Sequence, residues 1–126
     1  MEQYAAELIG QGVLDEQFTQ LLQLQDEGSP GFVSEVVNLF FEDTESKIVK
    51  IGQALSTQPF PYHELDGMVH QLKGSSASIG ACQLSSLCIR MRERCQAQDV
   101  GGCQALLMEL QKAFVLLKGK LMPFLS

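Results

Sequence analysis

His70 is the residue of this sequence best suited to chemistry. It sits in the run Leu65-Asp66-Gly67-Met68-Val69-His70-Gln71-Leu72-Lys73-Gly74-Ser75-Ser76-Ala77-Ser78-Ile79-Gly80, whose apolar spacing predicts a helix. Successive side chains advance by about 100° around a helix, so with His70 at zero Met68, Ile79, Leu72 and Leu65 fall near ~160°, ~180°, ~200° and ~220°. That stripe must face a core, which leaves His70 pointing into solvent. Gly67, Lys73, Gly74 and Ala77 share its outer face. Glycine inside a helix costs about 1 kcal/mol relative to alanine, so two of them beside one imidazole imply that another molecule must come close. An exposed imidazole is a nucleophile near neutral pH, and Lys73 would set a positive charge beside any anion it takes up. The chemistry expected is acceptance of a phosphoryl group, with clearance for the donor and a cation to hold the charge.

Each of these residues also has a plainer reading. A lone exposed histidine is ordinarily just surface, and a lone helical glycine ordinarily marks close packing. Their coincidence on one face favours chemistry. Ser75 and Ser76, near ~140° and ~240°, flank the apolar stripe, where small size and local hydrogen bonds account for them. His63 lies at the mouth of a Pro-bounded turn and reads as surface. The rival chemistry is a metal site, because His63, Asp66 and His70 fall near ~20°, ~−40° and 0° on one line. About 10 Å of helical rise separates the two histidines, however, so only Asp66 and His70 could pair on one ion. No metal site and no cofactor of the protein's own is expected.

The elements that must position His70 are helical throughout. Apolar residues recur at helical spacing over 15–26, and a break follows at Gly28-Ser29-Pro30-Gly31, where Ser29 can cap a helix opened by Pro30. Phe32, Val33, Val36, Val37, Phe40, Phe41, Ile48, Ile51 and Leu55 extend that helix to about 56. Pro59 and Pro61 mark the next turn. The His70 helix covers about 62–79 and stops at Gly80, a C′ residue. Another helix runs from Gln83 to Ala97, ended by Asp99-Val100-Gly101-Gly102, and the last from about 103 to 120. No segment alternates with period two. The expectation is an all-α, antiparallel up-down four-helix bundle over about 30–120, preceded by one or two short N-terminal helices over about 3–26, in a single domain 1–126.

Composition narrows the function classes. Apolar residues make up 45% of the 126, enough for a core, and charged residues 19%, too few for a disordered chain. The net charge of −6 disfavours nucleic acid as a partner. It is unevenly spread: twelve acidic and two basic side chains precede Gly67, while three acidic and seven basic follow. An acidic partner would therefore meet the second half. The longest apolar runs, such as Phe114 to Leu117, are far short of the ~20 residues of a membrane span, and the amino end lacks the form of a secretory signal. Cys82, Cys88, Cys95 and Cys103 form no Cys-x-x-Cys pair and read as reduced thiols of a cytosolic or nuclear protein. No Gly-x-x-x-x-Gly-Lys-Ser/Thr loop is present, so no autonomous kinase or ATPase activity is expected.

The run His70-Gln71-x-Lys73-Gly74-Ser75-Ser76-x-Ser78-x-Gly80-Ala81 resembles the signature of plant histidine-containing phosphotransfer proteins. The resemblance extends to Asp26-Glu27-Gly28-Ser29-Pro30-Gly31-Phe32-Val33, to Cys88, Arg92 and Cys95, and to Gly102-Cys103. It implies a phosphorelay intermediate in which His70 takes a phosphoryl group from the receiver aspartate of a hybrid sensor histidine kinase. The group then passes to the receiver aspartate of a response regulator, commonly in cytokinin signalling. The resemblance further implies Mg²⁺ in the partner receiver rather than here, and a carrier moving between cytoplasm and nucleus, expected to be monomeric. It makes Lys73 the charge-stabilising residue and Gly67, Gln71, Gly74, Ala77 and Arg92 the docking residues. Among Arg90, Arg92 and Arg94, the resemblance puts Arg92 nearest the site. Some plant relatives lack the phosphorylatable histidine; this chain keeps it. A receiver-binding module that takes no phosphate is the alternative.

Overall fold

The computed structural model describes residues 2–27, 31–57 and 59–125. They form six helices, α1 (Glu2–Gly10), α2 (Glu16–Glu27), α3 (Phe32–Leu55), α4 (Tyr62–Ile79), α5 (Cys82–Gln96) and α6 (Val100–Leu121), with a 3-10 turn over Met122–Leu125. No strand occurs among the described residues. Consecutive helices α3 to α6 pack on one another and α3 closes on α6, so the four make a ring around one core. The shorter pair sits outside it, with α2 against α3 and α4 and α1 against α2.

Periodic apolar residues build this ring. α3, about 36 Å long at 1.5 Å per residue, buries Val33, Val37, Phe40, Phe41, Ile48, Ile51 and Leu55. Phe41 meets Phe114 of α6 edge-on at 5.9 Å between ring centroids, which fastens the closing pair. The cap envisaged at Ser29 and Pro30 lies outside the described residues. Gly31 is the N-cap of α3, and Val33 N–H donates to the Gln25 side-chain oxygen of α2 at 3.0 Å. One of the four orphan donors at the helix start is thereby satisfied by a neighbouring helix.

Two expectations are corrected. First, Asp99-Val100-Gly101-Gly102 does not end α5 but opens α6. Asp99 is the N-cap and its Oδ1 accepts from Gly102 N–H at 2.9 Å, an arrangement in which the cap outweighs two poor helix formers. Second, the inward stripe of α4 is Leu65, Val69, Leu72, Ser76 and Ile79, with Met68 only half-buried. Ser76 is fully buried and its hydroxyl has no hydrogen-bond partner among the described residues. By length and composition alone α6 is also long and apolar enough to cross a membrane, a test that the core helix of a bundle passes as well. Its inner side, Cys103, Leu106, Leu110, Phe114, Leu117 and Leu121, lines the bundle core, while exposed Met108, Val115 and Leu116 raise its average hydropathy.

α4 and α5 are the helices that carry the site, and a two-residue link joins them. Gly80 ends α4 at φ +82°, and the Ala81 N–H donates back to the Ser76 carbonyl at 2.8 Å. Only glycine takes that backbone without strain. A Cβ on Gly80 would also lie 2.8 Å from the Phe18 nitrogen, where the start of α2 is seated. At the other end, Cys95 Sγ reaches the Tyr62 carbonyl at 3.0 Å. The two helices are thus tied together at both ends.

Candidate functional site

His70 is exposed on α4. It does not stand diametrically opposite the core: the buried stripe, with Val69 and Ser76 included, is centred near ~220°, which leaves the imidazole ~140° away. His70 therefore stands on the shoulder of α4 that faces α5, with Asp66 one turn before it. Here α5 contributes Arg92. Its Nε lies 3.0 Å and its Nη2 3.3 Å from the two carboxylate oxygens of Asp66, a bidentate fork. The remaining terminal nitrogen, Nη1, lies 3.0 Å from His70 Nδ1. Donating to the Asp66 carboxylate pushes the Arg92 guanidinium above its already high ordinary pKa, so the cation is permanent.

Arg90 and Arg94 go elsewhere. They share the opposite face of α5 and lie 3.8 Å from Glu109 and Asp99 respectively. Lys73 is half-buried on the same shoulder as Asp66 and makes no ion pair among the described residues, so its charge is uncommitted. Gly67, Gln71, Gly74 and Ala77 are exposed around the imidazole. A Cβ added to Gly67 or to Gly74 would meet nothing within 4 Å. Internal packing therefore does not require either glycine, and the space over them is open.

His63 stays apart from this group, its ring 4.6 Å from that of Tyr62. No three His, Cys, Asp or Glu side chains among the described residues cluster as metal ligands. Asp66, considered from sequence only as a metal ligand, is instead the brace of Arg92. The signal was its position four residues before His70; the partner, 26 residues on, belongs to another helix. The site as built is an exposed imidazole, one nitrogen of which touches a fixed cation, with a second cation one turn away and open surface over the ring. Such a site can attack an electrophile presented by another molecule and stabilise anionic charge delivered with it.

The Hpt domain family matches residues 35–119 of this chain. The chain is 44% identical over 119 residues to histidine-containing phosphotransfer protein 2 of Arabidopsis thaliana, covering 94% of this chain and 76% of that one. It is 43% identical over 114 residues to pseudo histidine-containing phosphotransfer protein 2 of Oryza sativa subsp. japonica, covering 90% and 76%. Among solved structures it is similar to a histidine-containing phosphotransfer protein from maize, with a TM-score of 0.92 at 37% identity over 98% of this chain and 91% of that one.

Proposed function

The chain belongs to the plant histidine-containing phosphotransfer proteins of two-component phosphorelays, and we propose on that basis that His70 is its phosphoryl acceptor. The family are phosphocarriers between sensor kinases and response regulators, not autonomous enzymes. In this reading a receiver domain of a hybrid sensor kinase delivers its aspartyl phosphate to His70, and the receiver of a response regulator collects it. Cytokinin signalling is the relay served. The carrier is monomeric and works in cytoplasm and nucleus.

One observation supports the assignment above all: the imidazole is exposed with open space over the glycines beside it. Both transfers need phosphorus in line with the attacking nitrogen and the leaving oxygen. Gly67, Gln71, Gly74 and Ala77 give the receiver a flat surface to approach along, and Lys73 brings an unpaired cation to the equatorial oxygens as charge collects there. The Mg²⁺ of the reaction belongs to the receiver. Overall likeness does not carry this reading by itself, since the chain is nearly as similar to a relative named a pseudo histidine-containing phosphotransfer protein as to one named without that prefix. The exposed His70 is what supports it.

The test is transfer from a phosphorylated receiver domain followed by peptide mapping. Label on His70, labile in acid and stable in alkali as a phosphoramidate is, is the expected result. The variant His70→Gln should lose it while its circular dichroism stays that of a folded helical bundle. Label surviving in the variant, or found on His63, refutes the assignment, and docking without any label leaves the phosphate-free binding module in its place.

A further inference from the structure

The contact between Arg92 and His70 has a direction. Guanidinium nitrogens donate and do not accept, so Nδ1, 3.0 Å from Nη1, must present its lone pair. In the uncharged ring the single proton then sits on Nε2, the nitrogen farther from the helix. A nitrogen that holds that proton has no lone pair with which to attack phosphorus. The same contact acts on the product. When Nε2 carries a phosphoryl group, the ring leaves readily only as neutral imidazole, which requires a proton on Nδ1. A nitrogen already accepting from a permanent cation is not free to take one.

We propose that Arg92, braced by Asp66, is a latch on Nδ1 of His70: it holds the free ring in its non-nucleophilic tautomer and the phosphorylated ring in its slow-leaving, unprotonated form, and a docked receiver domain opens it. The proposal rests on His70 being the acceptor. Opening needs no more than a competing anion. The guanidinium is half-exposed, it is held by one carboxylate, and a receiver brings carboxylates of its own. The charged groups that face the ring are Asp66 and Lys73 of α4 and Arg92 of α5, and of these Arg92 touches it.

The proton and electron count is simple. With Arg92 withdrawn, the ring proton moves through solvent from Nε2 to Nδ1. The Nε2 lone pair forms the N–P bond as the P–O bond to the receiver aspartate breaks, and the carboxylate leaves with the bonding pair. The Nδ1 proton then goes to solvent, which restores the lone pair that Arg92 re-engages. Delivery to the second receiver runs the same steps backwards: Nδ1 takes a proton, the N–P pair returns to Nε2, and the phosphoryl group goes to an aspartate oxygen. Between encounters the latch is shut most of the time and a small donor reaches the ring only in its brief openings; a docked receiver holds it open.

The experiment compares the intact chain with Arg92→Ala and Asp66→Asn, each checked for folding by circular dichroism. Long-range ¹H–¹⁵N correlation of the unphosphorylated proteins should show His70 protonated at Nε2 alone in wild type and as mixed tautomers in Arg92→Ala. Phosphohistidine formed with phosphoramidate should hydrolyse faster in Arg92→Ala at neutral pH, where both rings are mostly unprotonated, on the order of tenfold, the scale of one charge-assisted hydrogen bond. The two rates should converge in acid, where Nδ1 is protonated in both. Asp66→Asn should shift both readouts in the same direction by less. A wild-type ring protonated at Nδ1, or identical pH–rate profiles for wild type and Arg92→Ala, overturns the latch. If no donor labels His70, the acceptor assignment is what fails, and the tautomer spectrum still decides whether Arg92 holds the ring.

Discussion

At the scale of single residues, the neighbourhood of His70 separates groups that fold the protein from groups that serve its chemistry. Lys73 has no ion pair to lose among the described residues, so Lys73→Ala should leave the melting temperature nearly unchanged, within the ~1 kcal/mol that surface charges contribute. Transfer should slow in both directions, measured by label exchange with a receiver domain. Ser76 is the converse. Its hydroxyl is fully buried and without a partner among the described residues, an arrangement that costs roughly 1–3 kcal/mol. Ser76→Ala should therefore raise the urea midpoint and leave transfer rates intact. Helical angles alone were enough to expose His70 and to gather Gly67, Lys73, Gly74 and Ala77 beside it. They could not show the Asp66–Arg92–His70 triangle, because it closes between two helices across 22 and 26 positions of chain. Nor could they show that Val69 and Ser76 turn the core stripe, which moves His70 from the crest of α4 to its shoulder.

At the scale of the element, α4 contains two glycines and is capped by a third, and they serve two different purposes. Gly74 faces open space, and glutamine there should gain up to about 1 kcal/mol of helix stability. Gly74→Gln should nevertheless lower transfer from a receiver domain by orders of magnitude while a small donor such as phosphoramidate still labels His70. Unfolding of that variant would make Gly74 a packing residue instead. Gly80 is required by the backbone. Its φ of +82° and the nearby Phe18 nitrogen penalise any side chain, so Gly80→Ala should lower stability by at least about 1 kcal/mol in a denaturant titration. Sequence foresaw Gly80 as the end of α4 because a periodic run stops there. It misplaced the start of α6 because glycines at 101 and 102 look like a terminator when the Asp99 hydrogen bond across them is unseen.

At the scale of the whole molecule, the core is where alkali should act. Burial pushes the Cys88 thiol up to about 12 and the Cys103 thiol to about 11, against 9.0 for a free thiol. Below pH 9 both are protonated, folded or unfolded, and their contribution to stability is complete. As pH rises from 9 toward 12 the unfolded chain releases protons that the folded one keeps, and stability falls by at most about 1.4 kcal/mol per pH unit per thiol. Urea midpoints should decline over this range, and less steeply in Cys88→Ala. The all-α architecture was legible from periodicity in every helix of the ring. An up-down bundle already implies that α3 closes on α6, but the edge-on contact of Phe41 with Phe114 that fastens the pair was not legible, since it joins distant parts of the chain.

The Gly80–Ala81 link between α4 and α5 has a consequence in time as well as in space. A connection of two residues costs little loop-closure entropy, so pairing α4 with α5 is among the most local events open to this chain, whereas docking α3 on α6 must wait for a much longer loop. Contacts close in sequence form early when topology sets folding speed. His70 and Arg92 lie on those two helices, so they should meet in a folding nucleus before the ring is complete. In native-state hydrogen exchange, amides of α4 and α5 should be the slowest to exchange, and α1 should open first without separating the pair.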